Sequence, residues 1–277
     1  MPGFASHCLQ FSVPPNTSEY QYQDKQHFHN VLHKEKQHSV EETGRSQYII
    51  FFDIDKHRFL KEFSDTINID SYIPGSQLLL VKMITRAHEG AHINFDDLLK
   101  SKLAAMNLRG KLLSLGRADV KTENRQKEPD QSYIPSRLPP GRTDKWPTMI
   151  IESGYSEAKA KLTADVQWWL AESQGDVTMA IAISVHKAKK EITIELWGMM
   201  ARPTRTEPAK KVPGIRHRVV ISQGTSQQTI DVARAPLTIS FHDLFLRPAG
   251  PNEGDLVFSK EDFEEIASAV WQVHEEV

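Results

Sequence analysis

Apolar positions along this chain recur at two periods, and the switches between them sketch its elements. From Met1 to about Gly44 neither period holds. Gln, His, Lys, Glu and Ser dominate there, which predicts a polar, disordered tail with one short helix near His27 to Lys36. Gln47 to Phe52 is a β-type run, Ile54 to Phe63 has helical spacing, and Gln77 to Ile84 reads as another strand. A helix is signalled from Asn94, a good N-cap residue, with Asp96 and Asp97 at the positive end of its dipole. Phe95, Leu98, Leu99, Leu103 and Met106 form its apolar stripe, and Gly110 stops it.

Lys121 to Trp146 is charged and Pro-rich, and reads as a strand ending near Asp130 followed by a long loop. Thr148 to Ile151 is a continuous apolar run ending on Glu152, as expected for a strand covered on both faces. Ser156 to Glu172 is the clearest helix. Ala158, Leu162, Val166 and Trp169 line one face, Lys161, Asp165 and Glu172 fall mainly on others, and Gly175 ends it. Val177 to Val185 and Glu191 to Trp197 read as strands joined by a polar turn. Shorter strands follow at Val219 to Ser222, Thr229 to Val232 and Leu237 to Phe241. Ser259 to Val273 is an amphipathic helix facing inward through Phe263, Ile266, Val270 and Val273. This order predicts a mixed β-sheet flanked by helices, one α/β domain running from about Arg45 to Val277.

Composition narrows the setting. Hydrophobic residues make up 39% and charged residues 25% of the 277, a polar balance that a tail would explain. The formal net charge is −2, so any contact with a polyanion has to come from a local patch. Cys8 is the single cysteine, which excludes an intramolecular disulfide and suits an intracellular protein, cytoplasmic or nuclear. The first residues lack the pattern of a signal peptide, and no run approaches the ~20 apolar residues that span a bilayer, so no membrane contact is expected.

The pair Pro129-Asp130 and Glu152 carries the most chemistry. If their strands are neighbours, both carboxylates project from one edge of a sheet. Two hard oxygen ligands so placed suit magnesium, which activates water and stabilises charge on a phosphate. At these residues the sequence resembles the restriction-endonuclease-like, or PD-(D/E)XK, superfamily. Lys127-Glu128-Pro129-Asp130, Trp146-Pro147-Thr148 through Glu152, Gly154-Tyr155-Ser156-Glu157 and Trp168-Trp169 resemble a large fungal group with that fold. The resemblance covers roughly Leu78 to Val273. It implies a restriction-endonuclease-like core and a magnesium or manganese ion held by Asp130, Glu152 and the backbone carbonyl of Ser153, with Glu89 assisting. It also implies nuclease activity on a nucleic acid partner. The superfamily's lysine two positions beyond the glutamate is replaced by Gly154, so Lys161 or Lys159 on the following helix takes the role of orienting water or stabilising the transition state.

Other patterns compete. His88-Glu89-Gly90-Ala91-His92 matches HExxH, which on a helix places two histidines on one face for zinc and a glutamate as general base. Gly90 weakens that helix, and no third ligand stands at a familiar spacing. Ile49 to Asp55 resembles the first motif of haloacid-dehalogenase phosphatases, but His57 replaces the usual Thr or Val, and a turn or helix cap accounts for Asp53 and Asp55. His27, His29, His33 and His38 read as solvated tail residues, and Cys8 has no activating neighbour beyond His7. Arg202, Arg205, Lys210, Lys211, Arg216 and Arg218 stand together with only Glu207 opposing them. They are phosphate-contact candidates if they do not simply form a solvated connection. Trp168 and Trp169 could stack on bases, although helical spacing favours the core.

The expectation is thus a magnesium-dependent nuclease-like hydrolase. The alternatives are a catalytically inactive binding module on the same fold and a zinc hydrolase. A homodimer is left open as the assembly.

Overall fold

Residues 5–41, expected to belong to a tail, instead carry two helices and a strand. The computed structural model describes residues 5–41, 46–63, 69–83, 86–186, 189–224, 226 and 229–275. The chain forms two compact units: Met1–Thr85 with Asp119–Glu128, and Arg86–Ala118 with Pro129–Val277. This replaces the expected tail plus single domain.

The first unit holds α1 (Ala5–Phe11), β1 (Ser18–Gln21), α2 (Lys25–Glu41), β2 (Tyr48–Phe52), α3 (Lys56–Glu62), β3 (Ile69–Ile73), β4 (Leu78–Lys82), β6 (Val120–Lys121) and β7 (Gln126–Lys127). Its sheet runs β1-β2-β4-β3-β7-β6, with β1 parallel to β2 and the other pairs antiparallel. Composition misleads about the N-terminal stretch because a few anchors carry it. Phe11, Val13, Tyr22, Phe28 and Val31 are buried, each stabilising by about 1.5–3 kcal/mol, while His29, His33 and Lys34 occupy the exposed side of α2. Phe28 packs on Phe51 and Phe63, and Phe59 stacks on Tyr72. Asp55 caps α3 by accepting from the Arg58 amide at 2.8 Å, so the Asp-x-Asp pattern here is a helix start.

Cys8 is buried, and its thiol donates to Glu19 at 3.3 Å. Burial, with that carboxylate beside it, pushes the thiol up to about 11. Alkylation by iodoacetamide near neutral pH should therefore run roughly a hundredfold slower in the native protein than in urea, measured by mass spectrometry. Equal rates would show that the thiol is open.

The second unit holds α4 (Arg86–Ala105), β5 (Leu112–Ser114), β8 (Gln131–Pro135), β9 (Met149–Tyr155), α5 (Lys159–Glu172), β10 (Met179–Val185), β11 (Glu191–Ala201), β12 (Lys211–Gln223), β13 (Ile230–Ala233), β14 (Leu237–Ile239), α6 (Phe241–Phe245), β15 (Leu256–Phe258) and α7 (Lys260–Glu275). Its main sheet runs β13-β12-β11-β10-β9-β8-β5. Only β9 and β10 are parallel, and a parallel pair needs a crossover, which α5 supplies. The mixed sheet with flanking helices expected from the sequence is therefore present.

Successive strand residues point to opposite faces. On β9, Met149 and Ile151 join the core formed with α4, α6, α7 and the β14–β15 pair. Phe95 of α4 stacks on Phe258, with ring centroids 4.8 Å apart. The alternate β9 residues face α5 instead, which is why the whole strand is buried.

Three boundaries differ from expectation. Asn94 lies inside α4, and its side chain donates to the Gly90 carbonyl at 2.7 Å; burial of Ala91, Phe95 and Leu99 carries the helix through Gly90. Asp130 immediately precedes β8, and Glu152 lies in the middle of β9. Lys161 and Asp165, expected off the packed face of α5, are both buried.

Candidate functional site

Strand register brings Asp130 and Glu152 to the same end of one ladder. β8 and β9 are antiparallel, and their ladder ends with Gln131 opposite Ile151, so Asp130 and Glu152 are the residues that flank this last pair. Both are almost fully buried, at 5% and 2% exposure. Buried carboxylates need hydrogen-bonded partners, and each has its own.

Asp130 is bound along the sheet edge. Its Oδ2 accepts from the Ser153 amide at 2.8 Å and from the Ser153 hydroxyl at 3.0 Å, and Arg117 lies 3.4 Å from Oδ1. The side chain thereby supplies the acceptor that a ladder partner would give Ser153, because β8 begins only after Asp130. Ser153 faces α4, where its hydroxyl lies 3.3 Å from His92 Nδ1. On the same helix Asp96 accepts from the Tyr133 hydroxyl at 2.7 Å and from Lys100. Burial, with Asp96 beside it, raises the Tyr133 phenol far above its ordinary range, so it stays protonated and donating.

Glu152 is bound from the other side of the sheet. Its Oε1 accepts from the indole Nε1 of Trp169 on α5 at 2.7 Å. Lys161, Asp165 and Trp169 follow one another at four-residue steps on α5, forming a single stripe. Lys161 is fully buried and donates to Asp165. A partly buried Trp168 and buried Trp146 and Trp169 form an aromatic cluster, so the tryptophan pair serves packing.

A cleft of about 100 Å³ opens on this α5 side, lined by Ser156, Lys159, Leu162, Ala182, His186 and Glu195, among others. Its position follows from register. Glu152 neighbours Ala182, Ala182 neighbours Glu195, and Glu195 neighbours Arg218, so the small Ala182 leaves room between two acids. Glu195 is held by Arg218 Nε at 2.8 Å and Trp197 Nε1 at 2.9 Å. Exposed Lys159 lines the cleft, while Lys161 lies in the buried stripe.

The other sequence candidates separate. Glu89 is on α4 one turn before His92, hence on the helix that packs on the Ser153 side of the sheet. The HExxH lies on a continuous helix, as that pattern requires, but the His88 side chain falls outside the described residues. Among the described residues, no three His, Cys, Asp or Glu side chains stand close enough to hold a metal. Arg218 pairs with Glu195 and Arg216 with Asp243, whereas Arg202, Arg205, Lys210 and Lys211 are exposed at the β11–β12 connection. Among the described residues, no helix is long and apolar enough to cross a membrane.

Sequence reasoning missed Arg117, Asp165 and Glu195 as partners. Only Asp165 had a visible signal, its four-residue spacing from Lys161 and Trp169.

No protein-family model matches the chain, and no curated protein matches it. Among solved structures, it is similar to a candidate nuclease belonging to DUF820 from Anabaena variabilis, at 14% identity and a TM-score of 0.41. The match covers 77% of this chain and 99% of that one.

Proposed function

We propose that the second unit is a magnesium-dependent hydrolase of phosphodiester bonds, of the restriction-endonuclease-like kind, and that its fungal resemblance reflects this. One observation carries the reading: Asp130, the residue before β8, and Glu152 of β9 flank the last pair of one strand ladder, two buried acids separated by 21 intervening residues of chain. Magnesium or manganese would be held by these carboxylates, with the Ser153 carbonyl and Glu89 as further oxygens. When bound, the ion would lower the pKa of water and neutralise charge on the phosphate. Lys159, exposed in the cleft beside Ala182, contacts the incoming phosphate, while Lys161 would have to leave its buried pair with Asp165 to do so.

A second reading has its own support. Ser153 and Arg117 already occupy Asp130, which suits a carboxylate retained for structure in an inactive binding module. Zinc hydrolysis through His88, Glu89 and His92 ranks third, since no third ligand stands at a familiar spacing from the two histidines.

Calorimetric titration with magnesium and manganese, combined with cleavage of labelled DNA and RNA before and after chelation, separates these readings. Saturable binding with chelator-sensitive cleavage supports the hydrolase. A stable fold with neither assigns the inactive module, and tightly held zinc lost on His88→Ala assigns the third reading.

A further inference from the structure

The β11–β12 hairpin outruns the sheet that carries it. β10 pairs with β11 only from Ile192 to Trp197, and β13 pairs with β12 only from Val220 to Gln223. Beyond Trp197, β11 and β12 continue together through Gly198 opposite Gly214, Met199 opposite Pro213, Met200 opposite Val212 and Ala201 opposite Lys211. Among the described residues this stretch has only its own two strands, and residues 200–211 are exposed throughout. The result is a two-stranded ribbon closed by the Thr204 to Glu207 turn, where the Thr204 amide donates to the Glu207 carbonyl at 3.1 Å.

The root of the ribbon is fixed by a bulge. Register slips between Leu196 and Trp197, leaving Arg216 as the extra residue on β12, and bulges bend and twist a strand pair. The Arg216 guanidinium lies across Gly198, where a Cβ would stand 2.0 Å from its Nε, and donates to Asp243 at 2.7 Å. With glycine at 198 the guanidinium can lie flat across the strand, so the base of the ribbon carries an exposed Arg216–Asp243 ion pair over the bulge.

The tip carries Arg202, Arg205, Lys210 and Lys211 against one acid, Glu207, which already holds Lys210 at 2.6 Å. On a chain of net charge −2 this is a local reversal of sign. We propose that this ribbon is a DNA-binding arm that enters the major groove of a duplex, its cations lying on the flanking phosphates. The B-form major groove, about 12 Å wide, admits a two-stranded β-ribbon, whereas the deep, narrow major groove of duplex RNA does not. The arm rests on the nucleic-acid reading of the second unit but not on its chemistry.

The test is fluorescence-anisotropy titration of labelled duplex DNA with the full chain, in chelator, from about 50 to 200 mM salt. Arg202→Ala, Arg205→Ala and Lys211→Ala together leave the Lys210–Glu207 pair and change only exposed side chains. The triple variant should bind at least tenfold more weakly near about 0.1 M salt, with the slope of log affinity against log salt reduced by about 3. Gly198→Ala, which moves the Arg216 side chain and removes no cation from the tip, should leave the slope within about one of the parent's, and a fall as large as the triple variant's would overturn the arm. Parental affinity and slope in the triple variant would overturn the arm, as would a parent chain that ignores duplex DNA or prefers single strands or duplex RNA. Loss of binding in the triple variant without cleavage by the parent would sink the hydrolytic reading alone. Cleavage with unchanged binding in the triple variant would sink the arm alone.

Discussion

Lys161→Met should unfold the second unit far more easily than its size suggests, by about 3–5 kcal/mol in urea denaturation. Lys161 is fully buried and donates to Asp165, itself nearly as buried. Replacing the ammonium with a thioether of similar length keeps the packing but leaves the Asp165 carboxylate in the interior without its cation. Taking one partner from a buried pair costs far more than exchanging both, because the surviving charge keeps its desolvation penalty. Lys161→Met with Asp165→Leu should accordingly recover most of the loss. If the single substitution is as stable as the parent, Asp165 draws its compensation from other groups, and Lys161 can serve the phosphate. A large loss recovered by the double variant makes the lysine structural first, leaving Lys159 as the cation that meets substrate.

This division between Lys159 and Lys161 could not be read from the chain. Both lie between Ala158 and Leu162 of the apolar stripe, and an amphipathic pattern assigns every charge to solvent. Lys161 and Asp165 escape that rule because they neutralise each other one helical turn apart, so burial costs much less than two separate charges would. Trp169 adds the next step of the stripe and reaches Glu152 across the helix–sheet layer.

What the sequence carried well was whatever depends on continuous burial. The Thr148 to Ile151 run, the Glu191 to Trp197 alternation and the α5 and α7 stripes all emerged as elements, and the mixed sheet with them. Boundaries set by single polar residues were harder. Asn94 is a favoured cap residue, yet α4 begins earlier because Ala91 contributes to the core. Glu152 and Ser153 resemble a strand's end, but their register partners Ala182 and Ile183 continue the ladder past them. The N-terminal stretch failed on composition, since Phe28 and Val31 bury one face of a helix whose remaining residues are polar. That the strands next to Asp130 and Glu152 are neighbours was legible from strand order. Arg117 and Ser153 as the partners of Asp130 were not, because only the folded sheet edge brings Arg117 to it.

Those partners shape the expectation for the site itself: Asp130→Asn and Glu152→Gln should each lower metal-dependent cleavage by on the order of 10³-fold, the scale of losing one preorganised electrostatic group. Both substitutions are nearly isosteric. After Glu152→Gln the side-chain amide oxygen can still accept from Trp169 Nε1, so the fold should change by only about 1 kcal/mol, whereas Asp130→Asn keeps Ser153 but turns its NH2 toward Arg117 and should cost more, which urea denaturation of each variant measures. The loss would then lie in charge rather than in shape. Residues that grip one ion act as a unit, so the double variant should be scarcely slower than either single one. Titration of magnesium should fail for all three variants while duplex binding in chelator persists. Independent, multiplying losses would mean that the two acids serve separate steps. Retained cleavage in Asp130→Asn would return that aspartate to the structural role its bonds to Ser153 already describe.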